Sequence, residues 1–133
     1  MRLLALVTTL IMVPFAHAGA AESAINGDFT GDWSGASGGS GTFKLSVSDD
    51  AGKTKCTVAF TFSGQEVTTN VTLCKIEGAK IETQYDFDIG GNRLQSTIHG
   101  ELKEKTLQGK YQTKVLADGS DVDEGDWKAT STQ

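Results

Sequence analysis

Proline is nearly absent from this 133-residue sequence, and its single proline, Pro14, lies close to the N-terminus. Glycine occurs 16 times, and every glycine follows residue 18. Proline removes a backbone donor and is excluded from central β-strands, whereas glycine permits the tight turns that join strands. The chain after Pro14 is therefore suited to uninterrupted strand ladders connected by short turns.

Positive charge is also scarce. The sequence has 12 Lys and Arg residues against 17 Asp and Glu residues, which gives a net charge of −5 at pH 7. Its only arginines are Arg2 and Arg93. Domains that bind nucleic acid use many basic residues to neutralise phosphates. Nucleic acid is therefore not expected to be a partner.

Sequence motifs for metal and cofactor binding are missing. There is no His-Glu-x-x-His zinc motif, phosphate loop or dinucleotide fingerprint. The histidines are His17 and His99, and the neighbours of His99 place it on the outer face of a strand. We therefore expect no catalytic residue, no cofactor, no metal ion and no enzymatic activity.

Long apolar runs are confined to the N-terminus. Arg2 precedes an apolar run over residues 3–15, which ends at the small-x-small triplet Ala16-His17-Ala18. This order predicts a secretory signal peptide over residues 1–18, cleaved after Ala18 or, at a second such triplet, after Ala20. No run reaches the roughly 20 residues of a membrane span. We expect a secreted or periplasmic protein without a membrane span.

Residues 19–30 carry small residues without periodicity and are interpreted as a flexible lead-in to a single domain over residues 31–133. In that domain apolar and polar residues alternate, as at Phe43, Leu45 and Val47, and this period of two predicts β-strands. Eight strands are predicted, at residues 31–36, 41–48, 54–63, 66–76, 80–89, 93–102, 106–116 and 125–132.

The connections between these strands are too short for a crossover helix, so neighbouring strands should pair as antiparallel hairpins. An open meander would leave two sheet edges exposed, whereas closure buries every apolar face. The predicted fold is all-β, an eight-stranded antiparallel up-and-down barrel. A two-sheet β-sandwich is the alternative.

Two cysteines, Cys56 and Cys74, follow the predicted signal peptide. A hairpin turning at Gly64-Gln65 would place Cys56 opposite Leu73, one residue out of register with Cys74. A β-bulge between Thr72 and Cys74 would bring the two sulfurs together. Because an exported protein meets an oxidising environment, we predict a structural disulfide.

Alternation also predicts which side chains enter the barrel interior, here called the lumen. This set mixes apolar groups with hydroxyls, contains no inward His, Asp or Glu, and includes Gly100 and Gly109, which are expected to leave space. The candidate ligand-binding residues of the lumen are Trp33, Thr69, Thr83, Tyr85, Ser96, Tyr111, Thr113 and Trp127.

An acidic segment, residues 118–126, lies before the last predicted strand. Its carboxylates do not follow the EF-hand spacing, because Val122 stands where an oxygen ligand is required. We interpret the segment as a solvated loop, with a weak Ca²⁺ site as the alternative. Its five acidic residues are Asp118, Asp121, Asp123, Glu124 and Asp126.

The first predicted strand opens with Gly31-Asp32-Trp33, and the last opens with Gly125-Asp126-Trp127. A Gly-x-Trp on the first strand of a secreted meander resembles the calycin superfamily, which includes the lipocalins and avidin-like barrels. Gly31 to Gly35 is also similar to the Gly-x-Trp-x-Gly opening of small exported bacterial barrels. The resemblance implies that Trp33 packs across one end of the barrel.

Two functions are compatible with this prediction. Eight-stranded barrels are just wide enough to hold one small ligand or to be filled by side chains. An open lumen would bind a small apolar or amphipathic ligand, oriented by a few inward hydroxyls. A filled lumen would leave the loops as the functional surface, as in a protein-binding module such as an exported inhibitor.

Overall fold

The computed structural model describes residues 25–133, so the predicted signal peptide and residues 19–24 of the lead-in lie outside the described part. The described chain forms one antiparallel sheet with the spatial order β4-β3-β2-β1-β9-β8-β7-β6-β5. This sheet curls into a nearly closed up-and-down barrel, which confirms the predicted fold class. The alternative, a two-sheet sandwich, is not the fold observed. The strands are β1 (Gly27–Gly35), β2 (Ser40–Asp50), β3 (Lys53–Phe62), β4 (Gln65–Thr68), β5 (Asn70–Glu77), β6 (Lys80–Ile89), β7 (Asn92–Lys103), β8 (Thr106–Val115) and β9 (Asp121–Ser131).

Tight turns connect most of these strands, as the glycine-rich sequence predicts. At Ala51-Gly52 the φ angles are 53° and 82°, and at Ser63-Gly64 they are 52° and 76°. Two successive positive φ angles define the type I′ turn, whose twist matches that of the paired strands. Glycine at the second position adopts this conformation without a steric penalty. These turns keep neighbouring strands in register.

The predicted strand positions differ from the structure in three places. β1 begins at Gly27, so residues 27–30 of the predicted lead-in belong to the barrel. β9 begins at Asp121, so most of the acidic segment is strand and not loop. The predicted strand 66–76 is divided at Thr69 into β4 and β5, which raises the number of strands from eight to nine.

The strand is divided at Thr69 because β4 and β5 pair with different strands. β4 pairs with β3 through the Ser63-Gly64 turn, with Phe62 opposite Gln65. The prediction of a turn at Gly64-Gln65, with Cys56 opposite Leu73, is therefore wrong, because the type I′ turn shifts the register. The β3–β4 ladder ends at Thr68, and the Thr69 hydroxyl donates a hydrogen bond to the Val58 carbonyl at 2.6 Å.

The barrel closes where β3 meets β5, a junction here called the seam. Cys56 of β3 and Cys74 of β5 form a disulfide across it, with Cα atoms 5.7 Å apart, which confirms the predicted bond. A register shift lies close to the predicted bulge, between Val71 and Leu73. It is in the pairing of β5 with β6, whereas the bulge was predicted in a pairing with the strand that carries Cys56. The seam is thus held by the disulfide and the Thr69 hydroxyl in place of a continuous ladder.

The two ends of the barrel differ in their side chains. We call the end formed by residues 36–39, 63–64, 90–91 and 116–120 the mouth, and the opposite end the base. Aliphatic side chains and Phe29 fill the base, where Leu45 and Leu107 have no exposed surface. Aromatic side chains dominate the half nearer the mouth. No helix within residues 25–133 is long and apolar enough to cross a membrane.

We expect the disulfide to contribute substantially to stability, because it closes the seam. Replacing both cysteines with alanine should lower the free energy of unfolding by about 3 kcal/mol in the chain-entropy model, given the separation of 18 residues. Urea denaturation of the oxidised protein and the Cys56→Ala/Cys74→Ala variant measures the difference. A reductant should destabilise the unmodified protein and leave the variant unchanged. A loss below about 1 kcal/mol would contradict the assigned role of the seam.

Candidate functional site

A cavity of about 380 Å³ occupies the half of the barrel nearer the mouth. Its wall is mostly aromatic and aliphatic, because inward positions of β2, β3, β6, β7 and β8 carry residues such as Phe43, Phe60, Phe87, Leu94 and Ile98. The loop residue Ser37, together with Asn92 and Val122 from strand ends, lines its upper part. The barrel interior is therefore packed at the base and open toward the mouth.

Six of the eight predicted lumen residues line this cavity, and two do not. Thr83 is fully buried below the cavity, with its hydroxyl 3.9 Å from the Cys56 sulfur. Thr69 lies at the seam, where its hydroxyl bonds to the Val58 carbonyl. Thr83 is thus part of the packed base, and Thr69 has a structural role in closing the barrel. The six lining residues are Trp33, Tyr85, Ser96, Tyr111, Thr113 and Trp127.

The two tryptophans form walls of the cavity, and their indole N–H groups are already satisfied by the backbone. Trp33 Nε1 donates to the Thr61 carbonyl at 2.9 Å, and its ring stacks on Phe62 near the mouth, with centroids 6.3 Å apart. Trp127 Nε1 donates to the carbonyls of His99 at 3.1 Å and Lys110 at 3.2 Å. The rings therefore offer a ligand apolar surface and no free donor.

A small polar group lies inside the cavity. The Ser96 and Thr113 hydroxyls are hydrogen-bonded at 2.6 Å, and the Tyr85 hydroxyl bonds to Ser96. These side chains face each other because β7 pairs Ser96 with Tyr85 on one side and with Thr113 on the other. Hydroxyls can exchange donor and acceptor roles. This group could accept a hydrogen bond from a ligand after rotation of a single hydroxyl.

Asp123 also lines the cavity, which corrects the prediction that no acidic side chain points inward. The Tyr111 hydroxyl donates to Asp123 Oδ2 at 2.7 Å. The hydroxyl and backbone N–H of Ser37 donate to Asp123 Oδ1 at 2.9 and 3.2 Å. Counting back in steps of two from the inward Trp127, through Gly125, leads to Asp123. Alternation could have identified this residue, had the segment been interpreted as a strand.

These hydrogen bonds set the protonation of the pair. Burial raises the pKa of Asp123, but the hydrogen bonds from Tyr111 and Ser37 outweigh burial and leave the pKa below its usual range. Burial, followed by the hydrogen bond to the negative Asp123, raises the pKa of Tyr111 well above its usual range. At neutral pH the pair is therefore a neutral phenol donating to a charged carboxylate.

A glycine makes room for this pair. A Cβ atom on Gly35 would overlap the Asp123 carboxylate and would lie 2.6 Å from the Tyr111 hydroxyl. The second glycine of the Gly-x-Trp-x-Gly sequence is thus required by the contents of the site. Gly100 and Gly109 do not leave space in the lumen, contrary to the prediction. The Trp127 ring covers Gly100, and the His99 backbone covers Gly109.

The rest of the acidic segment is dispersed around the mouth. Asp121 accepts a hydrogen bond from Gln112, Asp118 bonds to Ser120, and Asp126 is paired with Lys110. Within residues 25–133 no group of three or more His, Cys, Asp or Glu side chains is placed to hold a metal ion. The geometry therefore offers no support for the Ca²⁺ alternative.

His99 lies outside the barrel, as predicted, with its imidazole 64% exposed and its Nε2 3.5 Å from a Glu82 oxygen. It takes no part in the cavity wall. Within residues 25–133 no Lys, Arg or His lines the cavity, and Asp123 is the only charged lining residue of that part of the chain.

Three large apolar side chains are exposed at the mouth. Phe62 is 39% exposed, Leu116 is 40% exposed and Val122 is 48% exposed. They come from three separate parts of the chain: the end of β3, the β8–β9 connection and the start of β9. Their convergence gives the entrance of the cavity an apolar rim, which is the kind of surface that marks binding sites.

Comparison of the sequence with protein-family models found no match, and a search of curated proteins found none either. The nearly closed barrel agrees with the calycin resemblance, and Trp33 lies toward one end of the barrel, at the mouth. Membership of that superfamily is not confirmed by the comparisons.

We expect Gly35→Ala to destabilise the protein, because the added methyl group must displace the Tyr111–Asp123 pair. Overpacking of this kind typically costs about 1–3 kcal/mol of unfolding free energy. Ser34→Ala, at the adjacent exposed position, is the matched control and should change stability by less than about 0.5 kcal/mol. Thermal or urea unfolding measures both variants. Equal stability of the two variants would contradict the assigned role of Gly35.

We expect both tyrosines of the chain to resist ionisation in the folded protein. Burial raises the pKa of Tyr85, with a smaller opposing effect of its hydrogen bond to Ser96, and the pKa of Tyr111 is raised as described above. A group whose folded pKa is raised stabilises the fold below its unfolded pKa, near 10 for tyrosine, and this stability is lost as the pH rises further.

Absorbance at 295 nm during alkaline titration measures this ionisation, with protein unfolded in urea as the control. The unfolded chain should titrate near pH 10, roughly its unperturbed value. The folded protein should show little phenolate until the barrel unfolds. Ionisation of one tyrosine near pH 10 in the folded state would contradict the burial of that side chain.

Proposed function

We propose that the protein is an exported, non-enzymatic carrier that binds one small apolar or amphipathic ligand in its cavity. The observation that carries this proposal is the cavity of about 380 Å³ behind the mouth. Ligand pockets typically measure about 300–1,000 Å³, with mostly apolar walls and a few polar groups that orient the ligand. This cavity has that composition.

The mouth supports the same proposal. The exposed Phe62, Leu116 and Val122 offer an apolar ligand a first contact before it reaches the aromatic interior. The ligand's apolar part would then pack against Phe60, Phe87 and the two tryptophans, and burial of apolar surface would supply most of the affinity. The Tyr85–Ser96–Thr113 hydroxyls would orient any polar group that reaches the interior.

The side chains of the cavity favour binding over catalysis. A general base at neutral pH needs a pKa near that pH, whereas the pKa of Asp123 is held below its usual range. Among the described residues, no histidine, cysteine or lysine lines the wall to act with Asp123. The Asp123 carboxylate is instead held in place by Tyr111 and Ser37, as expected of a group that positions a ligand.

Export is part of the proposal because it determines which ligands the protein would meet. The predicted signal peptide indicates export, and the Cys56–Cys74 disulfide is compatible with an oxidising compartment. Whether cleavage follows Ala18 or Ala20 does not alter the barrel, which begins at Gly27.

The alternative function, a protein-binding module, would use the mouth differently. Phe62, Leu116 and Val122 would then contact a protein partner, and the cavity would contribute nothing. A substitution that blocks the cavity below these residues, while leaving them in place, distinguishes the two functions.

We expect purified protein to bind the neutral fluorescent probe N-phenyl-1-naphthylamine saturably, with one site per chain. Val115, which lines the cavity on β8, is the position for a blocking substitution. Val115→Trp should weaken probe binding by about tenfold or more, because the indole ring would occupy cavity volume. Lys114→Trp, at the neighbouring exposed position, should bind the probe normally. Fluorescence titration with direct excitation of the probe measures both.

Circular dichroism of each variant checks that the barrel is intact. Folded protein that does not bind the probe saturably would contradict the carrier function and favour the protein-binding module. Equal binding by the two variants would show that the probe occupies a site other than the cavity, which would also contradict the proposal.

A further inference from the structure

The charge in the cavity wall is of one sign, negative. Asp123 is the only charged residue in the wall, and within residues 25–133 no basic side chain forms an ion pair with it. Its hydrogen-bond donors, from Tyr111, Ser37 and the Glu124 backbone, are all uncharged groups. The carboxylate therefore keeps its negative charge at the edge of an apolar cavity, where it is half-buried and remains accessible to a ligand.

The basic side chains near the mouth do not neutralise the Asp123 charge inside the cavity. Arg93 adjoins the lining residue Asn92, but its guanidinium is engaged with Asp88 at 3.3 Å and with Asp86 at 3.9 Å. Lys114 is exposed, and its neighbours Thr113 and Val115 are the residues that line the cavity. The net charge of −5 for the whole chain has the same sign as Asp123.

Asp123 lies where the polar head group of a bound ligand would be. Asp123 lies near the start of β9, beside the mouth, and Ser37 from the β1–β2 loop holds it there. An amphiphile whose apolar part fills the aromatic interior would keep its polar head at this level. A cationic head could form a charge-assisted hydrogen bond with the carboxylate, whereas an anionic head would meet a like charge.

We infer that the cavity selects amphiphiles with a cationic head group, such as a primary ammonium, over those with an anionic head group, and that Asp123 pairs with the head at the mouth. This inference rests on the proposed carrier function. It assigns Asp123 a role in specificity in addition to its role in holding the β1–β2 loop.

Three probes with the same alkyl chain test the inference: decylamine, decanol and decanoate. Each is titrated at neutral pH and low ionic strength, below its micellar concentration, against protein loaded with N-phenyl-1-naphthylamine. An alkyl ammonium has a pKa near that of lysine, about 10.4, so decylamine is charged in this experiment. Decylamine should displace the probe at a concentration about tenfold or more below that required for decanoate, with decanol between them.

Asp123→Asn should abolish this preference, because the amide keeps the shape of the side chain and loses its charge. Decanol, which carries no charge, is the neutral reference with which decylamine and decanoate are compared in each protein. Glu124→Gln is the matched control: it removes one negative charge from the adjacent, exposed position and should keep the preference. A purely structural Asp123 would alter the unfolding free energy without changing the ratio of decylamine to decanoate affinity.

The comparison in unmodified protein stands even if Asp123→Asn does not fold. Decanoate binding as tight as that of decylamine would overturn the inference and leave the carrier function intact. A preference that survives in folded Asp123→Asn would overturn the role of Asp123. Failure of all three compounds and the probe to bind would overturn the carrier function, and with it this inference.

Discussion

The ends of the nine-stranded sheet must meet before the barrel has an interior, and the chain achieves this without a continuous hydrogen-bonded ladder. β3 belongs to a tight hairpin with β4, and β5 belongs to the ladder with β6. The Cys56–Cys74 disulfide and the Thr69 hydroxyl join these two systems at the seam. The inward side chains of every strand depend on this closure, because an open sheet would expose one whole apolar face to water.

Closure produces an interior with two different halves. The base is filled by aliphatic side chains together with Ile25 and Phe29, which are almost completely buried. Toward the mouth, large aromatic rings line the wall and leave a cavity between them. Rings such as Trp33 and Phe62 stack on one another, which keeps them against the wall. The base is therefore packed, and the open volume is confined to the upper half of the barrel.

The polar chemistry of the site depends on the first residues of β9. Asp123 faces inward by regular alternation from Trp127, and the register against β8 shifts just before it, beside Val122, so that both Val122 and Asp123 line the cavity. Gly35, on the neighbouring strand, leaves the volume that the carboxylate and the Tyr111 hydroxyl occupy. β-Bulges commonly redirect a side chain next to a functional site. Here the bulge lies next to Asp123, the one charged residue of the described chain that lines the cavity.

Local pattern in the sequence was sufficient for most of the strands and turns, for the barrel and for the disulfide, but not for the division of β4 from β5 or the Ser63-Gly64 turn. The period of two at Phe43, Leu45 and Val47 reflects backbone geometry, which holds wherever a strand has one buried face. The same rule correctly predicted that Tyr85, Ser96 and Tyr111 point inward. Only the tertiary structure decided that Thr83 belongs to the packed base, that Thr69 closes the seam, and that Tyr111 and Ser37 hold the Asp123 carboxylate at the cavity. Alternation says which face a side chain is on, but its depth along the barrel, the register across a junction and the volume left by Gly35 depend on residues distant in sequence.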